Sequence, residues 1–389
     1  MGNYISSNAN RFYVSLEQSY GQAVAASAAN RFPAIQLQAQ QILQYGKRLD
    51  KTGSRTFLGA PKSARRQTAF QVHTYLTSWT GLGQPSYGPL FQGGLGAQPI
   101  LSSGLVVASV IGPAQLEFTT PHGLSRGSAV GFENEIRFVT AAPTAEQITI
   151  NAPFLTTPGP TAALAPAASY GLSTMLPSVT LYDYWDPAAI VSRIVTGAGV
   201  DTLDVSVNGD YHEFAFSGPA CDLLDSSSFL PGSAGLSAFP AEPQIASFDY
   251  SIVPGQLGEV WLGSALSQFY TLTEATVQVK NNIDVRDREF GSSYPRALAP
   301  GAREIIAALS IFTQDDTQTT SLYAAAKQRT QISAMLQLGR QQGEILGIYL
   351  PSITPEIPRY NDTETRLQWQ FRNNLAQGTA EDEIYFAFA

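Results

Sequence analysis

The chain has 389 residues, of which 44 % are hydrophobic and only 14 % charged, and its formal net charge is −8. An average soluble protein carries ~25 % charged residues, so this composition excludes a disordered chain, and the acidic balance disfavours a general binder of phosphate backbones. The lone cysteine, Cys221, excludes an intrachain disulfide framework, no run approaches the ~18 apolar residues of a spanning helix, and the start Met1-Gly2-Asn3-Tyr4 lacks a leader pattern.

After a short amphipathic start, residues 35–45 alternate apolar and polar side chains, the period of a half-buried strand, and residues 68–76 do so again. Between them, residues 46–62 form a loop rich in Lys, Arg, Gly and Ser, and a Gly/Pro-rich stretch follows at 81–97. Residues 101–172 read as an inserted unit. Short strands at 105–110, 115–118, 130–132, 136–139 and 147–150 have the ~8–12-residue spacing of a small barrel or sandwich. Its tail at 156–168 is a Pro-, Ala- and Thr-rich linker. Long strands return at 179–185, 272–279 and 305–312, and Asn208-Gly209 between alternating runs predicts a hairpin over 203–216. Residues 228–243 form a second linker. Thr320 and Ser321 at an N-cap, with Lys327 and Arg329 in the last turn, predict a helix over 320–329.

The first and third sections repeat one another. Residues 35–78 set beside 270–314 each give an alternating strand, a charged loop, basic residues (Arg65-Arg66; Arg303) and a second strand. Beyond the insert, 195–220 resembles 346–376, with Gly209 to Phe216 facing Asp362 to Phe371. The reading is a duplication. Its physical use is that one chain supplies two equivalent positions in a ring, so that three chains give pseudo-sixfold symmetry.

The third section resembles a phage tail tube protein of the long non-contractile type. The resemblance is carried by 277–284 (Val-Gln-Val-Lys-Asn-Asn-Ile-Asp), Arg286-Asp287-Arg288-Glu289-Phe290-Gly291, Gly301-Ala302-Arg303-Glu304, Thr313-Gln314-Asp315-Asp316, Gly347-Ile348-Tyr349-Leu350-Pro351 and the run 381–387. It spans about three quarters of the chain. The insert resembles the small β-barrel additions of phage structural proteins through Pro121-His122-Gly123-Leu124-Ser125-Arg126-Gly127.

The expected fold is therefore mainly β. It comprises two tandem tail-tube-type β-sandwich or barrel domains (1–100 plus 173–235, and 240–389), each with a short flanking helix, and an inserted small all-β domain (101–172). The resemblance implies a virion protein, assembled in the host cytoplasm, whose rings close by strand addition and stack into a tube. Its partners would be further copies of itself, the tape measure, tail-tip and terminator proteins, and genomic DNA passing without specific binding. No cofactor, metal or membrane is implied. Long alternating strands leave open edges, which a ring resolves, and an excess of acids suits a lumen through which DNA must slide.

The contact residues expected between rings or subunits are Lys47, Arg48, Lys51, Arg55, Arg65, Arg66, Arg286, Asp287, Arg288, Glu289, Arg303, Glu381, Asp382 and Glu383. The basic cluster, with Lys62, has two readings: a DNA contact, or an inter-ring surface meeting acids 381–383 of a neighbour. The second is preferred, because a gripping lumen would hinder ejection. Asp284, Asp287, Asp315 and Asp316 admit a cation site, but solvated strand-end acids are preferred. Three histidines (His73, His122, His212), no nucleophile motif and no phosphate loop at 93–96 make an enzyme the weakest reading. Cys221 reads as a small buried hydrophobe. Two other readings remain: a tail-tip ring on the same domain, and a carbohydrate-binding adhesion module using the insert.

Overall fold

A computed structural model describes residues 4–389 except 47–48, 58, 60–63, 82, 187–190, 208, 246–247, 249, 265 and 364. The chain is mainly β. Its first part runs β1 (Asn10–Leu16), β2 (Arg31–Phe32), β3 (Ala34–Gln44), β4 (Arg65–Tyr75) and α1 (Gly88–Leu95). Next come β5 (Ile100–Ser102), β6 (Val107–Gly112), β7 (Gln115–Phe118), β8 (Ala129–Phe132), β9 (Glu135–Ala141), β10 (Gln147–Ile150) and β11 (Ala167–Tyr170). The chain then returns through β12 (Val179–Trp185), β13 (Arg193–Ala198), β14 (Thr202–Val207), β15 (His212–Ala220) and β16 (Asp222–Asp225). The last part runs β17 (Gly258–Gly263), β18 (Ser267–Phe269), β19 (Leu272–Lys280), β20 (Asp284–Val285), β21 (Leu298–Ala299) and β22 (Glu304–Phe312). It ends with α2 (Thr317–Gln328), β23 (Ile332–Leu338), β24 (Leu346–Thr354), β25 (Arg359–Asn361), β26 (Gln368–Ala376) and β27 (Tyr385–Phe388).

The pairing order occurs twice. One sheet runs β16-β13-β12-β1-β2, and the same order of elements, β27-β24-β23-β17-β18, recurs later in the chain. Likewise β3-β4-β15-β14 is matched by β19-β22-β26-β25. Even the irregularities agree: a bulge at Ala34/Gln36 on β3 corresponds to one at Leu272/Glu274 on β19. The two parts join where β14 pairs with β19, giving one 15-stranded sheet.

Alternation decides which faces are buried. Along β22, Ile305, Ala307, Leu309 and Ile311 point into the core while their neighbours are half-exposed. The hairpin predicted over 203–216 is β14 with β15, although Asn208 of its turn lies outside the described residues. Helix α2 begins three residues before the predicted start, because Asp316 caps it by accepting from the Thr319 N–H at 2.6 Å.

The Gly/Pro-rich stretch holds a helix the sequence pattern does not announce. Every residue of α1 is buried. Pro89 sits in its first turn, and Gly96 ends it at φ +100. Gly93 and Gly94 press against Val200, where a Cβ would come within 3.1–3.2 Å of its methyls. Phe91 meets Phe214, Phe216 and Phe388 at centroid distances of 5.3 Å, and Phe386 and Tyr170 at 5.6 and 5.8 Å.

Strands β6-β7-β10-β9-β8 form a five-stranded sheet with its own apolar core around Leu116, Phe118, Val139 and Ile148. This unit sits on β23 and β24. Gln337 accepts from the Ile136 N–H at 3.1 Å and donates to the Asn134 carbonyl at 2.8 Å. Phe138 stacks on Tyr349 at 5.5 Å. Arg137 is wholly buried there, paired with Glu135 and lying over the Trp261 ring at 4.5 Å. The predicted linker at 228–243 also packs: Phe229, Leu236 and Phe239 cover Tyr13, Tyr182 and Tyr184 on the outer face of the β12 sheet. Truncating Phe91 to Ala removes a ring from a fully enclosed site and should cost about 3–5 kcal/mol of stability, read by chemical denaturation.

Candidate assembly surfaces

The sheet ends in an open edge. Among the described residues strand β3 pairs only with β4, and Ala34–Gln44 contains no charge and no proline over 11 residues. Monomeric proteins blunt such edges with lysine, proline or a bulge that twists the edge away. Here the only irregularity is at its start, and Ile35, Ile42 and Leu43 stand exposed along it. A second edge is carried by β25, paired with β26. On this strand an exposed Tyr360 stacks on Trp369 at 5.8 Å, which in turn meets Tyr323 at 5.2 Å.

The closed junction between β14 and β19 shows how such edges look when satisfied. Val205 lies opposite Val277, and Asp204 opposite Gln278. Gln278 donates to the Asp204 carboxylate at 2.7 Å. At its upper end the Asn281 side chain donates to the Gly94 and Val200 carbonyls, both at 2.9 Å, tying α1 to the junction. At the lower end His212 is buried, and one ring nitrogen lies 2.9 Å from the Leu257 carbonyl. Burial holds its imidazole below the ordinary value, with that hydrogen bond partly opposing.

The start of β4 meets the second charged loop at one end of the sheet. The Arg66 N–H donates to the Ser293 carbonyl at 2.9 Å, and its guanidinium stands 4.6 Å over the Tyr294 ring and 3.3 Å from Asp222. Gln67 donates to Asp287 at 2.8 Å. Arg286 is bonded to Glu289, and Arg288 is almost fully exposed, 3.9 Å from Asp287. Lys51, Arg55 and Arg65 are exposed, whereas Lys47, Arg48 and Lys62 lie outside the described residues.

The acids 381–383 are engaged within the same chain. Arg303 bonds Glu381 at 2.6 Å and the Ser173 carbonyl at 2.6 Å, with Glu383 at 3.8 Å. Asp382 accepts from the Thr379 and Ala380 N–H groups and pairs with Arg126 at 3.1 Å. Burial opposes its ionisation, but these partners hold its carboxyl below the usual range. Sequence reading missed Arg126 and Asp222 as partners, since nothing local ties residues so far apart in the chain.

The candidate chemical groups are dispersed. Asp316 is the α2 cap, Asp287 serves Gln67, and Asp284 and Asp315 are exposed. Among the described residues no three His, Cys, Asp or Glu side chains are grouped to hold a metal. Burial pushes the Cys221 thiol up to about 12. The chain matches no protein-family model and no curated protein.

The His212 site has a pH consequence. Its folded value is depressed, so below the ordinary value of about 6.5 the unfolded chain binds more protons than the folded one, and stability falls as pH falls. Between about pH 7.5 and about pH 5.5 the Tm should drop, and His212→Gln should flatten part of that slope. Equal slopes for both proteins would remove His212 as the cause.

Proposed function

We propose that this chain is a structural subunit of a phage tail tube, in which copies join edge to edge into rings that stack around a DNA channel. The observation that carries the reading is a pair of edges on one sheet, the long, uncharged, partly apolar β3 and the edge at β25, which occupy the positions that β19 and β14 fill at the closed junction. A chain that stayed alone in water would have to protect β3 against random pairing. The repeated pairing order supports a duplicated unit, for which three copies supply six equivalent positions. The net charge of −8 suits a wall that does not trap a polyanion. The partners would be tail proteins at either end and DNA in transit.

The adhesion reading is less favoured. The insert's Phe118, Phe138, Phe154 and Tyr170 are buried and Phe132 is half-buried against the same core, so they do not form an exposed platform for a sugar. Negative-stain electron microscopy with mass measurement of the purified protein tests the proposal. Hollow tubes or rings of three copies are the expected outcome. Single rings that never stack favour a tail-tip role. Six copies per ring keep the tube and remove the trimer. A protein that stays monomeric at high concentration, and still does so when tail-tip extract is added, overturns the reading.

A further inference from the structure

The junction inside the chain also specifies a junction between chains, and the register can be derived strand by strand. The matched bulges make Gln36 equivalent to Glu274, and therefore Ala39 to Val277 and Gln40 to Gln278. One strand across, Thr74 lies opposite Phe214 and Ile311 opposite Trp369, so Phe214 is equivalent to Trp369. Phe214 faces Val205, and Trp369 faces Tyr360. Tyr360 is thus the counterpart of Val205, Arg359 of Asp204 and Asn361 of Ser206.

Exposure separates the occupied position from its open counterpart. Val205 is 1 % exposed, with Val277 of β19 opposite it, and His212 is 0 % exposed, with the Leu257 carbonyl on its ring. Their counterparts Tyr360 and Leu367 are 60 % and 38 % exposed. The other edge also matches. Leu37, Ala39 and Gln41 turn inward and Gln38 and Gln40 outward, the same parity as Ala275, Val277, Val279 and Thr276, Gln278 on β19.

We infer that β25 of one copy pairs antiparallel with β3 of the next, with Tyr360 opposite Ala39, Arg359 opposite Gln40 and Asn361 opposite Gln38. The inference rests on the ring reading above and adds the partner surface and its register. The occupant is a second copy of this chain, because the same chain carries the matching edge. This head-to-tail contact buries Tyr360 against the next copy. It also replaces the Gln278–Asp204 bond by one in which the Arg359 guanidinium donates to the Gln40 amide oxygen.

Paired cysteines in the full chain test the register: Tyr360→Cys with Ala39→Cys, and Arg359→Cys with Gln40→Cys. Adjacent antiparallel pairs alternate between ~5.5 and ~4.5 Å Cα separations, both within disulfide reach. Mild oxidation should give a ladder of covalent multimers from at least one pair. Tyr360→Cys with Gln36→Cys lies three residues, about 10 Å, out of register and should give none. A second arm uses charge. Gln40→Lys sets a cation beside Arg359 and should raise the concentration needed for assembly by roughly twofold to fivefold, while Gln40→Glu lowers it. Arg359→Glu should restore assembly of Gln40→Lys.

A ladder only from the out-of-register pair overturns the inference. So does dimer formation by Ala39→Cys alone, which would mean β3 pairs with β3 of another copy. In both cases, rings seen in the microscope leave the tube reading standing. Absence of any assembly, with tail-tip extract added as well as without it, overturns both.

Discussion

The structure depends on the need of backbone N–H and C=O groups for partners. A strand placed beside another satisfies one side and leaves the next side open. This chain postpones the problem by running 11 residues of β3, then β4, β15, β14, β19, β22 and β26, into one sheet. Everything else is arranged around that continuity. The junction at β14 and β19 is held by Gln278 on Asp204 and by Asn281 on α1. The faces are sealed by material that has no counterpart in the repeated order. The insert covers β23 and β24, and the segment at 228–243 covers the tyrosines of β12.

Different cover over the faces beside α1 and α2 explains the contrast between the helices. Helix α1 lies beneath Tyr170 of β11 and Phe386 and Phe388 of β27, and apart from Gln92 it is apolar. Helix α2 has no such roof and buries only Thr319, Leu322 and Ala326, so its remaining positions are Thr, Gln, Ser, Tyr, Ala and Lys. The composition of each helix follows what lies above it.

Alternation made the long strands legible, because a half-buried strand writes its burial into every second residue. Residues 35–45 and 305–312 are read from sequence and found as β3 and β22. Phe216 and Phe371, set opposite one another by sequence, occupy equivalent positions in the pairing. Helix α1 was not legible, since Gly93 and Gly94 are poor helix formers chosen for close approach to Val200. Strand β1 and the packing of 228–243 were also missed, because tyrosine hydroxyls and a Glu242 carboxylate, distant in sequence, define that face. For the charged loops, sequence gave the residues but not their bonds: Arg66 to Asp222 and Arg303 to Glu381 cross long stretches of chain.

The roof over α1 also sets an order in time. Phe91 precedes in the chain the rings of Phe386 and Phe388 that enclose it, which follow both halves of the sheet. Contacts this distant in sequence form slowly. Until β27 is in place, the rings around Phe91 lack part of their cover. A nascent chain in this condition has an exposed β3 edge but no finished body behind it. Completion of the core around Phe91 therefore needs chain segments from both halves of the sheet.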